Sequence, residues 1–170
     1  MSFDDFKEFD INWNNYGEKL TELYTFYINN IHNKLYFMNK IVICREKPEF
    51  DGKVECFWYI ITEGLQHNKK NSERIPDIER CKRIALIPIM LENYNDLRIK
   101  CWEKLEHTTK GKQNRIYIWL PEYKYIVILG KNKNNFQLIT AYYTNYEHTE
   151  RKLKKESSMY EDPRKSGGRL

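Results

Sequence analysis

Arg74, Arg80 and Arg83 stand in the middle of the chain, and Thr140, Tyr142 and Thr144 alternate near its end, with His148 and Lys152 just beyond. A guanidinium grips phosphate through a flat fork of donors. Imidazole is the usual proton carrier, and a phenol, an amine or a carboxylate can replace it when its pKa is tuned. Metal-free cleavage of RNA needs such a set. One group takes the proton of the ribose 2′-OH, another protonates the departing 5′-oxygen, and cations offset the charge building on phosphorus. Each residue alone has a plainer account. Tyr142 suits any sheet, threonines are common in strands, and Arg80 and Arg83 could be a solvated helix face paired with Glu79.

For these groups to meet, a helix must lie against a strand. Residues 115–120, 125–129 and 136–144 are β-rich runs joined by tight turns, which predicts an antiparallel meander. Two-residue periodicity puts Thr140, Tyr142 and Thr144 on one face of the last strand. Residues 74–93 predict a helix, with Ser72 as cap, Pro76 in the first turn and Pro88 ending or kinking it. Apolar residues at three- and four-residue steps predict a helix over 11–40, with Asn12 or Asn14 at its start. Residues 41–44 predict an edge strand, 47–52 a turn around Asp51-Gly52, and 55–62 a strand. The segment 64–71 is polar and expected to be a mobile loop. A strand over 97–105 would feed the meander through a basic loop at 107–114. Gly130 is expected in a hairpin turn. A charged helix or arm over 147–156 would lead into a disordered end at 161–170.

The chain has 170 residues, which suits one core. The net charge of +5 is modest, but basic residues gather over 98–112 and 151–155, a pattern that fits a phosphate-facing surface. Cys44, Cys56, Cys81 and Cys101 form no C-x-x-C pair, and the acidic start has no apolar signal segment. These features predict a cytoplasmic protein with reduced thiols and no membrane partner. His32, His67, His107 and His148 have no metal-ligand spacing, and no phosphate-binding glycine loop or nucleophile elbow is present. Neither a metal nor a cofactor is expected.

A resemblance sharpens this. It runs through 55–62, 73–84, Trp102, 116–120, 125–129, 138–143, Tyr146-Glu147-His148 and 151–156. In that order and spacing the chain resembles a phage- and prophage-associated family of the BECR group, which unites barnase, EndoU, the tRNA-cutting colicins and RelE. The resemblance implies an α+β fold with N-terminal helices packed on a four- to five-stranded antiparallel sheet. It covers the region expected as a nuclease domain at 46–156; the helical leader expected at 1–45 has no counterpart in the family and is read from its periodicity, and the basic, disordered tail expected at 157–170 from its composition. It also implies a metal-independent endoribonuclease toxin that leaves 2′,3′-cyclic phosphate ends, with RNA, including tRNA, as substrate and an antitoxin or immunity protein as partner. Arg74 and Arg80 match the family's helix arginines, Thr140 and Tyr142 its last-strand polar residues, and His148 and Lys152 its closing basic segment.

In the expected site Arg74 and Arg80 hold the phosphate and Thr140 donates to a phosphate oxygen. Tyr142 and His148 move the protons, and Tyr59, Arg83, Trp102 and Lys152 contact substrate. One position departs from the family, where His usually follows Phe-Trp and this chain has Tyr59. That departure favours one alternative, an inactive RNA-binding module on the same fold; a second, a phage-encoded interaction or inhibitor protein, would use the helical leader and the basic arm to grip an acidic partner.

Overall fold

A computed structural model describes residues 1–64 and 74–165. In chain order the elements are α1 (Tyr16–Asn30), β1 (Leu35–Phe37), β2 (Lys40–Ile43), α2 (Glu55–Ile61), β3 (Thr62–Gly64), β4 (Arg74–Pro76), α3 (Ile78–Lys82), α4 (Leu86–Glu92), β5 (Lys100–Thr108), β6 (Gly111–Leu120), β7 (Tyr125–Lys131), β8 (Phe136–Tyr143) and α5 (Glu147–Met159). The fold is α+β. Strands β5 to β8 pair antiparallel in succession, the predicted meander. The sheet is larger than expected and mixed: six strands in the order β1-β2-β8-β7-β6-β5, with β3 and β4 forming a separate pair.

The difference arises in the first 45 residues. The α-helix occupies only their middle, and a single 3-10 turn spans Phe3–Asp5. After α1 the chain turns back as the hairpin β1–β2, and β2 runs parallel to β8 through Val42↔Phe136 and Ile43↔Gln137. Residues 41–44 therefore lie inside the sheet, and β1 is the edge. Leu23, Tyr27, Ile31, Phe37 and Val42 share one core with Val127 and Leu129, so the expected leader is part of the sheet domain. At its start, the Asn12 side chain accepts from the N–H groups of Asn14 and Asn15 at 2.9 and 3.1 Å and shapes the turn into α1.

Strand β7 explains the layering. Successive side chains of a strand point to opposite faces. Tyr125, Val127 and Leu129 join the large core beneath α1, α2 and α4, whereas Ile126 and Ile128 join a second cluster with Trp102, Trp119 and Leu153 of α5. Both faces are covered, so every β7 residue from Tyr125 to Gly130 is buried. Gly130 lies within the strand, not in a turn. A Cβ there would sit 2.6 Å from Gln113 Nε2 on the neighbouring strand, the far end of a side chain that would have to move aside. The Asp51-Gly52 turn forms as expected, with both residues at positive φ.

Two predicted elements change type. Residues 55–61 are a helix, not a strand, because the run is buried almost all round. Glu55, Cys56, Phe57, Trp58, Ile60 and Ile61 are all enclosed, and enclosure overrides β propensity. The helix predicted over 74–93 is instead strand β4 followed by the short helices α3 and α4. Asp77 caps α3 by accepting from the Arg80 N–H at 3.1 Å. Pro88 is the third residue of α4, where its missing N–H would have no intrahelical partner anyway. The Ser72 cap and most of the loop expected over 64–71 lie outside the described residues. The predicted basic loop at 107–114 is mostly strand, the closing hairpin of β5 and β6.

The end of the chain is tied down as far as Lys165. Arg164 donates to the carbonyls of Tyr94 and Ile99 at 2.7 and 3.1 Å, and the Glu103 N–H donates to the Glu161 carbonyl at 2.9 Å. The expected disorder over 161–165 is thus replaced by a strap along β5.

Candidate active site

The arginines are placed by the end of α2. The last carbonyls of a helix have no intrahelical partner, and that end carries partial negative charge. Here the Tyr59 carbonyl accepts from Arg80 Nη1 and from the Thr140 hydroxyl, both at 3.2 Å. The Thr62 carbonyl accepts from Arg80 Nη1 and Arg74 Nη2, both at 2.8 Å, while Arg74 Nε reaches Thr62 Oγ1 at 2.8 Å. Arg80 Nε lies 3.2 Å from Asp77 Oδ2 as an ion pair without hydrogen-bond alignment. Arg74 stacks over the Tyr59 ring at 4.3 Å and Arg80 faces the Tyr142 ring at 5.5 Å. Burial lowers the pKa of Arg74 from its ordinary value. Arg74 of β4, Arg80 of α3, the Thr140 hydroxyl and the Tyr142 ring therefore do converge, but most of the arginine donors already serve the α2 terminus.

Tyr142 links this cluster to the opposite face of the sheet. β8 carries a bulge between Leu138 and Thr140. Leu138 and Ala141, an odd step apart, both enter the large core. The extra residue shifts the alternation and turns Tyr142 toward Trp102, Trp119, Ile126 and Ile128. Burial pushes its phenol upward, Arg80 partly opposes this, and Glu156 adds to it. Tyr142 is therefore protonated at neutral pH.

On the same face, register sets a row of charged and phenolic groups. Trp102 pairs with Tyr117, Lys104 with Arg115, and Glu106 with Gln113. The Tyr117 hydroxyl donates to Glu106 Oε1 in a short hydrogen bond. Lys104 Nζ bridges Glu156 at 2.9 Å and Glu106 at 3.4 Å. Arg115 acts electrostatically on Glu106, and its Nε is buried with no hydrogen-bond partner among the described residues. Burial pushes the Glu106 carboxyl up, but the Tyr117 hydrogen bond and the Lys104 charge outweigh it and hold the group below its ordinary value. The Tyr117 phenol is driven well above its usual range, first by burial and then by Glu106. Lys104 is raised, chiefly by its bond to Glu156. The Lys104 and Glu106 side chains keep 21% and 27% exposure, so a ligand can reach them.

The expected site residues divide accordingly. Arg74, Arg80, Tyr59, Thr140 and Tyr142 come together. Arg83 stands apart, stacked on Tyr143 at 3.9 Å and neutralised by Glu79 and Glu8. Thr144 is buried, and its hydroxyl accepts from Trp119 Nε1 at 3.3 Å. Trp102 is fully buried and stacks on Tyr117 at 5.3 Å, so it cannot contact substrate as expected. His148 and Lys152 share an exposed side of α5, whose buried residues are Leu153 and Glu156. No contact joins His148 to Tyr142; its ring stacks on Tyr146 at 5.7 Å. The expected proton-transfer pair is therefore not assembled.

Lys104, Glu106, Arg115, Tyr117 and Glu156 were not singled out in the sequence. Lys104, Glu106 and Arg115, Tyr117 do alternate within the two strands, which was the available signal, but Glu156 is placed by the packing of α5. Among the described residues no three His, Cys, Asp or Glu side chains converge as metal ligands, and no helix is long and apolar enough to cross a membrane. The chain matches no family model, no curated protein and no solved structure.

Arg80→Ala is expected to destabilise the fold by about 2–3 kcal/mol, because it leaves two carbonyls at the α2 end short of a donor. Arg80→Lys should recover only part of this, since an ammonium lacks the planar fork. Urea midpoints of the two variants check the order.

Proposed function

We propose that this protein is a metal-independent endoribonuclease of the BECR kind. One observation carries the proposal: the Glu106 carboxylate, the Lys104 ammonium, the Arg115 guanidinium and the phenols of Tyr117 and Tyr142 lie together on one face of the meander. In this mechanism Glu106 accepts the proton of the ribose 2′-OH. The 2′-oxygen attacks phosphorus, the bond to the 5′-oxygen breaks, and Tyr142 donates its proton to that oxygen. Arg115, Lys104 and Arg80 offset the charge gathered on the phosphoryl oxygens. The products carry a 2′,3′-cyclic phosphate and a 5′-hydroxyl. Its setting as a toxin restrained by an antitoxin rests on the sequence resemblance alone, and action in the cytoplasm on the cysteine pattern.

The test is digestion in EDTA of an oligonucleotide containing a single ribose, beside its all-deoxy counterpart. Cleavage only at the ribose, with a cyclic phosphate end, is expected. Equal cutting of DNA, or cleavage that needs an added divalent ion, overturns the mechanism, because DNA lacks the nucleophile.

The pH profile follows from the two shifts. Glu106 is depressed, so its basic form persists through neutrality and is lost only as pH falls below the ordinary carboxyl range. Tyr142 is raised, so its acidic form survives past the ordinary phenol range. A plateau is expected between about pH 5 and pH 10. An inflection in the ordinary imidazole range would instead bring a histidine into the chemistry.

A second function, RNA binding without cleavage, is favoured by the same shift. A carboxylate held this acidic is a weak base, and Arg74 and Arg80 already spend donors on α2. Retained, intact RNA with a steep salt dependence would establish it.

A further inference from the structure

Strand register carries the charged row further across the sheet than the chemistry above uses. Lys104 lies beside Arg115, Arg115 beside Gly130, Gly130 beside Gln137, and Gln137 beside Ile43. Cross-strand partners share a face. Ile116, Leu129, Leu138 and Val42 all enter the large core, so Arg115, Gly130, Gln137 and Ile43 stand on the opposite face. That is the face of α5, and α5 itself packs on β5 at the far end of the row.

A slot forms at Gln137. Gly130 puts no side chain between Arg115 and Gln137, and the flat Gln113 amide lies across it, with Nε2 2.6 Å from where a Cβ would stand. Ile43 on the paired strand and Ile139 two residues along β8 flank Gln137, and both are half-buried. Ile139 packs with Ile128 in the second cluster, beside Tyr142. The neighbouring amides are occupied: Gln113 Nε2 donates to Asn132 Oδ1 at 3.4 Å, and Asn132 Nδ2 to Asn135 Oδ1 at 2.8 Å, which braces the hairpin of β7 and β8. Gln137 is half-buried as well, yet its amide makes no hydrogen bond among the described residues. Removing an amide from water without partners costs free energy, and no packing role of Gln137 offsets that cost.

We propose, resting on the RNA chemistry proposed for this face, that Gln137 is the specificity-determining residue of an adenine subsite. An amide sets one acceptor beside one donor, the pattern that pairs with the amino group and adjacent ring nitrogen of adenine, whereas the two adjacent acceptors of guanine call for two donors. Unpaired bases of RNA are read on these edges. The Gln137 carbonyl accepts from the adenine amino group, its N–H donates to the ring nitrogen, and Ile43 and Ile139 hold the two sides of the base. Arg115 stands two strand spacings away, about 10 Å. That span suits one nucleotide with its phosphate at Arg115 and its base at Gln137, and a purine fills it better than a pyrimidine.

Fluorescence anisotropy of the full chain with 2′-O-methyl hexamers, five uridines and one variable central base, reads base preference without cleavage. The adenine hexamer should bind about tenfold more tightly than the guanine, cytosine and uracil hexamers. Replacing its adenine by purine, which lacks the amino group, should remove that advantage. Gln137→Ala should bind all four alike, with the affinity for the uracil hexamer and the thermal midpoint unchanged. Equal binding of the four hexamers by the wild-type chain, or an adenine preference that survives Gln137→Ala, overturns the adenine subsite alone and leaves the cleavage chemistry standing. Failure of every hexamer to bind overturns the subsite together with the RNA chemistry. If circular dichroism shows that Gln137→Ala does not fold, Gln137→Glu, which keeps the shape and loses the donor, decides in its place: it too should lose the adenine preference.

Discussion

Replacing Glu106 by glutamine is expected to lower the proposed RNA cleavage by about 10²- to 10⁴-fold, the usual contribution of a positioned proton acceptor. The amide keeps the shape of the carboxylate and still accepts from the Tyr117 hydroxyl, but it cannot take up the 2′-OH proton. Lys104 retains Glu156 as a partner at 2.9 Å, so the local ion pairing survives in part. The thermal midpoint and RNA affinity should therefore stay near wild type while the turnover rate falls. Tyr142→Phe should lose a similar factor, because its protonated phenol is the proposed donor to the leaving oxygen. Tyr117→Phe should lose less, since Tyr117 orients Glu106 without reaching the reacting atoms. Single-turnover cleavage of a ribose-containing oligonucleotide separates the three. Full activity in Glu106→Gln places the proton acceptor elsewhere.

Trp102→Ala is expected to cost about 3–5 kcal/mol of stability, the range for removing a large aromatic from a core. The indole is fully buried and lies nearly parallel to Tyr117, with an interplanar angle of 3°. It packs with Trp119, Ile126, Ile128 and Leu153, and Leu153 is the buried apolar residue of α5. The void would open beneath α5 and loosen Tyr117, so the proposed cleavage should fall along with stability. Trp102→Phe fills more of the space and should keep most of both. A substrate-contacting tryptophan behaves differently: its removal weakens RNA binding and leaves the fold intact. Denaturant midpoints measured beside RNA affinity distinguish the two roles.

The meander was legible because its signal is local. In 115–120, 125–129 and 136–144 the β-branched and aromatic residues are dense and the turns between them are short. Residues 55–61 misled for a physical reason: a short, continuously apolar run has no period, so a buried strand and a buried helix look alike. The break between α3 and α4 was hidden in a similar way. Arg74 falls on a strand, and Pro88 begins the last helix of the segment rather than ending a long one. Strand β2 was visible as an apolar run, but its place beside β8 was not, since parallel pairing joins residues far apart in the chain.

For the site, the amino-acid sequence by itself determined the α+β class, the succession β5 to β8 and the approach of Arg80 to Thr140 and Tyr142. Only the tertiary structure decided what those groups do. The open end of α2 draws the arginine donors inward, because unpaired helix carbonyls buried without partners are costly. The bulge in β8 turns Tyr142 to the face of Tyr117. Pairing of β5 with β6 sets Lys104 beside Arg115, and the packing of α5 brings in Glu156 from 52 residues away. Periodicity records which side of its own element a residue occupies; it carries no trace of which other element covers that side, and the chemistry here depends on the cover.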